Sequence, residues 1–264
     1  MENKPISIMP DVITAASDAA QNNIPETVKQ TDGVLSTVVG FFNDVVLYPV
    51  KKANITFRYK LESFEEDLKD KIKDIPEENI QAPSVMLAGP TLEALRYTYD
   101  EKALREMFEN LLACAMDNRN NGQIHPAFVD DIKKMSPLDA EVLDKIIDLG
   151  RLKCAEITFQ IVNSEKVYVN AMPNHFCVEL CDLADPFLVS LSIVNLDRMG
   201  LIKITESGIS GGEYESMKEN SFVKDREKLF RTFENEFDIK INKHAIIVTD
   251  YGRQFAKICL NKNI

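Results

Sequence analysis

Three short constellations in this chain of 264 residues carry side chains capable of chemistry. His125 is followed by Asp130 and Asp131, and Asp117 opens the loop before it. An imidazole among carboxylates serves as a general base or a metal ligand when a reacting partner lies adjacent. His125 also precedes Pro126 at a loop-to-helix junction, where capping of backbone groups explains it without catalysis. His175, Cys177 and Cys181 form the second group. On a helix the two cysteines share a face, and thiolate plus imidazole bind zinc. A structural zinc site wants four ligands, and the sequence holds no CxxC or HxxxH pair, so small buried residues are the simpler reading. The third group is Gly208-Ile209-Ser210-Gly211-Gly212, a GxSxG pattern with His244 downstream. A nucleophile elbow belongs to a mostly parallel sheet with an upstream oxyanion loop. A helical first half supplies neither, and a Gly- and Ser-rich run makes an ordinary hairpin turn. No Gly-Lys-Ser/Thr phosphate loop and no HExxH occurs. The expectation is a protein that is not an enzyme and that needs no cofactor or metal.

The bulk composition narrows the partners. The net charge is −11; residues 1–135 hold 15 basic and 22 acidic side chains, residues 136–264 hold 16 and 20. Neither part is basic, and gripping a phosphate backbone needs clustered Lys and Arg, so nucleic acid is a disfavoured partner. Five scattered cysteines and a polar opening without an apolar leader core predict a reduced, cytoplasmic setting.

These groups need elements to hold them. Residues 1–30 read as an N-terminal arm, with a short Ala-rich helix over 11–21. Residues 33–50 are apolar around most of a helical circumference; the run is short for a span, carries Asn43 and Asp44, and meets Pro49. A buried core helix is the first reading. The alternative is a surface for a protein partner or a membrane, centred on Val38, Phe41, Phe42, Val45 and Val46. Phe57, Leu61, Phe64, Leu68, Ile72 and Ile75 make one helical stripe over 54–75. Pro90 suits the first turn of a helix carrying Leu92, Leu95 and Tyr99, and Asp100 suits the N-cap of the next, which packs through Leu104, Phe108, Leu111 and Ala115. Pro126 opens a short helix with Phe128, Ile132 and Met135 facing inward.

Ser136-Pro137-Leu138-Asp139 is a strong helix start, with Ser at the N-cap, Pro at N1 and an acid at N3, and Gly150 is its stop. Strands are predicted over 157–162, 166–169, 201–204, 239–241 and 245–248. Helices are predicted over 174–183, over 186–199 behind Asp185, in the charged segment 213–235, and after Thr249. The fold class is therefore mainly α with a smaller α+β part: a helical domain over 31–135, then a winged-helix-like domain over 136–264 with an insertion at about 206–240. The would-be recognition helix offers only Ser190, Ser192, Asn195, Asp197 and Arg198 to a nucleic acid, which is poor equipment for phosphates or base edges.

The run LREMFENLL at 104–112, followed by HPAF at 125–128 and SPLD at 136–139, resembles the abortive infection alpha (Abi-alpha) family of bacterial and phage-encoded proteins. The resemblance extends through residues 33–50, KKANITFRYKL at 51–61, IPEEN at 75–79 and GPTLEAL at 89–95, and covers roughly residues 30 to 205. It implies a role in phage defence and brings no catalytic residues with it. The expected function is a non-enzymatic interaction protein that binds or senses a protein of phage or host origin, with a homo-oligomer as a further expectation. The alternatives are a toxic effector directed at a membrane surface through 33–50, and a winged-helix transcriptional regulator. His125, Asp130 and Asp131 stand as the candidate polar site.

Overall fold

A computed structural model describes residues 30–42, 54–162, 168–169, 172–231 and 237–262. The predicted helix over 11–21, the candidates Val45 and Val46, and the side chains of Phe41 and Phe42 lie outside what is described. The molecule is mainly helical with one small antiparallel sheet. It divides into two compact units, one holding residues up to 100 together with 107–130, the other holding 101–106 and everything from 131 onward.

In the first unit, helices α1 (Gln30–Phe42), α2 (Asn54–Ile72), α3 (Val85–Thr98) and most of α4 (Lys102–Ala115) bury apolar stripes. Phe64, Leu68 and Ile72 of α2, Leu92 and Leu95 of α3, and Phe108, Leu111 and Leu112 of α4 are buried. Each such side chain contributes about 1.5–3 kcal/mol by leaving water, so the stripe rather than helix propensity holds these elements. Two local expectations fail here. Helix α3 begins at Val85, so Pro90 sits inside it rather than in its first turn. Pro90 lies on the exposed side, where loss of one backbone bond is tolerated more easily. Asp100 does not cap α4; its carboxylate takes Lys60 Nζ at 2.8 Å, while the carbonyl of Glu101 receives the first α4 amide, from Arg105.

The second unit opens with the end of α5 (Ala127–Lys133) and α6 (Pro137–Leu149). The capping box is present: Ser136 Oγ accepts from the Asp139 amide, and Asp139 Oδ2 accepts from the Ser136 amide at 2.7 Å. Gly150 ends α6 with φ of 77°, a conformation costly for other residues. Then follow β1 (Leu152–Ile161), β2 (Tyr168–Val169), a 3₁₀ turn at Val178–Leu180, α7 (Pro186–Arg198), β3 (Ile202–Thr205), a 3₁₀ turn at Glu215–Glu219, α8 (Ser221–Arg231), β4 (Phe237–Val248) and α9 (Asp250–Cys259). The sheet order is β2-β1-β4-β3, with every described pair antiparallel.

Two further corrections belong to the sheet. The helix predicted over 174–183 is only the 3₁₀ turn, because Phe176 bridges to Ala155 and pulls the segment into an extended path. The two strands predicted over 239–248 are one strand of 12 residues, since β1 offers an unbroken ladder from Leu152 to Ile161. Segment 206–231 packs back on the sheet: Tyr214, Met217 and Val223 are buried with Ile157, Phe159 and Phe176. Helix α9 approaches so closely that a Cβ at Gly252 would stand 1.8 Å from the Leu201 carbonyl oxygen.

Candidate functional site

Helix α7 starts at Asp185, whose carboxylate accepts from the Phe187 amide at 2.9 Å, with Pro186 in its first turn. Val189, Ile193 and Leu196 face the interior and fix which side turns outward. That outward side is apolar. Phe187 is 41% exposed, Leu188 52%, Leu191 66% and Val194 42%, whereas most other large apolar residues among those described are buried. The residues recur at one, three and three positions, a single stripe on one face. Isolated exposed apolar residues are ordinary; a contiguous stripe marks a surface that meets something.

The stripe borders a shallow groove of about 400 Å³ between α7 and the start of α6, lined by Leu138, Leu188, Leu191, Val194, Asn195 and Arg198 among others. Its geometry is rigidly set. Asn195 Nδ2 donates to Asp139 Oδ2 at 3.0 Å and to the Lys134 carbonyl at 3.2 Å, so the α6 capping box also clamps α7. Phe187 meets the Phe222 ring edge-to-face at 6.1 Å, and the Arg226 guanidinium lies over both rings at 5.4 and 5.0 Å.

The polar residues of α7 are committed to the fold. Ser190 is buried and accepts from the His175 amide, Ser192 is buried, and Asp197 accepts from the Ile204 amide at 2.9 Å. Arg198 is exposed and donates to Asn195 Oδ1 at 2.7 Å. What α7 turns to solvent is therefore apolar with a single cation at its C-terminal end. The sequence carried a signal for this: seven apolar residues from Phe187 to Leu196 are too many for one buried face.

His125, Asp117 and Asp131 are each engaged by a bond of the local fold. His125 Nδ1 accepts from the Ala127 amide at 3.1 Å, which makes it a cap of α5. The loop before it is clasped to residues 79–81 by paired amides, Asn79 with Asn118 and Gln81 with Asn121. Asp117 binds Arg119 in two-pronged fashion, and that guanidinium holds its carboxyl below the usual range. Asp130 is exposed, whereas Asp131 is buried and accepts from the Tyr251 hydroxyl at 2.5 Å, tying α5 to α9. Among the described residues, no group of three or more His, Cys, Asp and Glu is placed to hold a metal. Val38, named as a partner-facing residue, is 2% exposed and lies with Val34 and Leu35 on the inner side of α1, so it is not presented to a partner.

Cys177 and Cys181 do not share a helical face, since the segment is a 3₁₀ turn. Burial pushes the Cys154 thiol up to about 12 and Cys181 up to about 11, and raises Cys177 as well, aided by the Glu179 carboxylate. Such thiols stay protonated and unreactive near neutrality. His175 and His244 meet edge-to-face at 6.3 Å; burial, then the neighbouring His244, lowers the His175 pKa. The GxSxG run is a turn: Tyr214 OH accepts from the Ile209 amide and donates to the His244 carbonyl, Ser210 is exposed, and His244 Nδ1 is 2.8 Å from the Thr205 carbonyl.

No curated protein and no solved structure matches the chain. The family model for abortive infection alpha matches residues 56–259, from α2 through the last residue of α9. That match takes in both compact units and most of the chain, and so the chain belongs to the abortive infection alpha family.

Proposed function

We propose that the protein is a non-enzymatic interaction component of abortive infection, and that it binds a protein of phage or host origin through the exposed face of α7. The observation that carries this reading is the stripe of Phe187, Leu188, Leu191 and Val194 turned outward from a rigidly clamped helix. Helix-in-groove recognition uses apolar anchors at this spacing on a preformed surface. The order α6, β1, α7, β3, β4, with β4 between β1 and β3, supports a winged-helix reading of the second unit. The segment at 206–231 that would form the wing is folded onto the sheet. In that fold α7 takes the place of the recognition helix, and its outward apolar face favours a protein over a nucleic acid. Among the described residues, no helix is long and apolar enough to cross a membrane.

The test is phage challenge of cells carrying the wild-type chain or Leu191→Glu, with matched levels of folded protein verified by circular dichroism. Protection is expected to be lost in the variant. Full protection by Leu191→Glu would overturn the reading.

A further inference from the structure

We infer that the α7 face is filled, before any infection, by α7 of a second copy of this chain, packed antiparallel about a two-fold axis near Leu191. The inference rests on the reading of α7 as a docking surface and names its occupant. It follows from how the face is written along the helix. In an antiparallel pair related by a two-fold axis, residue i of one copy meets residue j of the other and the reverse. With Leu191 on the axis it meets its own counterpart and Leu188 falls opposite Val194, so three of the four outward apolar residues find an apolar partner, while Phe187 falls opposite Asn195 at the edge of the contact.

The charges come within one residue of the same register. Asp185 is exposed at the start of α7 and Arg198 is exposed at its end. Antiparallel packing sets Arg198 of each copy opposite Ala184 of the other, one residue from Asp185 and within reach of its carboxylate, at the rim of an apolar centre; Asp185 itself falls opposite Asp197, whose carboxylate is already held by the Ile204 amide. The helix macrodipoles then also run in opposite senses, which favours the pairing. Parallel packing would instead set Asp185 against Asp185 and Arg198 against Arg198. The groove fits this occupant, because it follows α7 from Leu188 to Arg198 with Leu138 on its far wall and so takes a ridge of side chains. Size is compatible: Phe187, Leu188, Leu191 and Val194 are 41%, 52%, 66% and 42% exposed and would form the apolar centre of an interface that typically buries about 800 Å² per partner, with a polar rim supplying the rest.

Sedimentation velocity of the full chain across a concentration series tests this. Wild type is expected to be a dimer at micromolar concentration. Leu191→Glu is expected to raise the dissociation constant at least about 30-fold, the effect of losing a central anchor. Arg198→Glu is expected to weaken the dimer by about 10-fold through like-charge contact with Asp185, and Arg198→Glu combined with Asp185→Asn is expected to recover most of that loss, since Asn keeps the helix cap. A wild-type chain that stays monomeric at 100-fold higher concentration, or a dimer untouched by Leu191→Glu, overturns self-pairing. So does a dimer in which the double variant is no tighter than Arg198→Glu alone. Self-pairing and docking fail separately: a monomeric wild type whose protection still depends on Leu191 removes the second copy as occupant and leaves docking of another protein in place.

Discussion

Helices α1 and α7 have the same length of 13 residues and are both apolar beyond what one buried face requires, yet they are used in opposite ways. In α1, Val34, Leu35 and Val38 turn inward, while Ser36 and Thr37 take the outer side. In α7 the interior takes Val189, Ile193 and Leu196 together with two serines, and Phe187, Leu188, Leu191 and Val194 are left outside. Apolar excess alone thus does not mark an interaction surface. What decides is which residues the neighbouring elements claim, and in α7 those neighbours claim Ser190, Asn195 and Asp197 through hydrogen bonds that fix the rotation of the helix.

The sharpest way to break this contrast is to charge the two helices in turn. Val38→Asp places a carboxylate without a partner in the first unit and is expected to cost about 3 kcal/mol or more in urea unfolding. Near-wild-type stability would mean that α1 does not pack through this side. Within α7 the faces can be set against each other. With the chain held monomeric by dilution, Ile193→Ala is expected to cost about 2–4 kcal/mol, whereas Leu191→Ala costs less than about 1 kcal/mol because in the single copy its side chain is mostly in water. Equal costs would erase the distinction between inner and outer face.

Smaller effects probe the clamp. Ser136→Ala removes the cap of α6 and is expected to cost about 1 kcal/mol, and to speed hydrogen exchange in both α6 and α7, since Asp139 also holds Asn195. Faster exchange confined to α6 would detach the cap from the rotation of α7. The pH response should be smaller still and confined to the second unit. The folded pKa of His175 lies below its ordinary value of 6.5, chiefly through burial. The unfolded chain therefore binds the proton first as pH falls, so the contribution of His175 is full above about pH 6.5 and is lost progressively below it. Unfolding of the second unit should need less urea at pH 5.5 than at pH 7.5. The shift should vanish in His175→Gln, and an unchanged pH dependence in that variant would contradict the assignment.

What was legible in the sequence was local. The capping box at Ser136 and Asp139, the Asp185-Pro186 start and the Thr249 cap each depend on residues within one turn, and all three are in place. The stripe of α2 was equally readable, because a 3.6-residue period records its buried side directly. The misreadings were set by distant partners. Residues 174–183 look helical by themselves, but Phe176 is taken by Ala155 on β1. Asn242 and Lys243 look like a break between strands, but β1 carries the ladder across them, and Glu156 holds the Asn242 side chain at 2.8 Å. Asp100 has the chemistry of a cap, but Lys60, 40 residues away, takes its carboxylate. His125, Asp117 and Asp131 are near in sequence yet serve separate structural bonds, and the face of α7 shows only once its inner residues have been assigned.

The central claim is that this face meets protein. Photo-crosslinking in living cells tests it directly, with a photoreactive residue installed at position 191 in one strain and at position 229 in another. Leu229 of α8 is 51% exposed and is not one of the four stripe residues, so it reports how far labelling follows exposure alone. The account predicts discrete protein adducts from position 191, whether with a second copy or with a phage or host protein, and none above background from position 229. Equal labelling at the two positions, or none at 191 in cells that are protected, would contradict it.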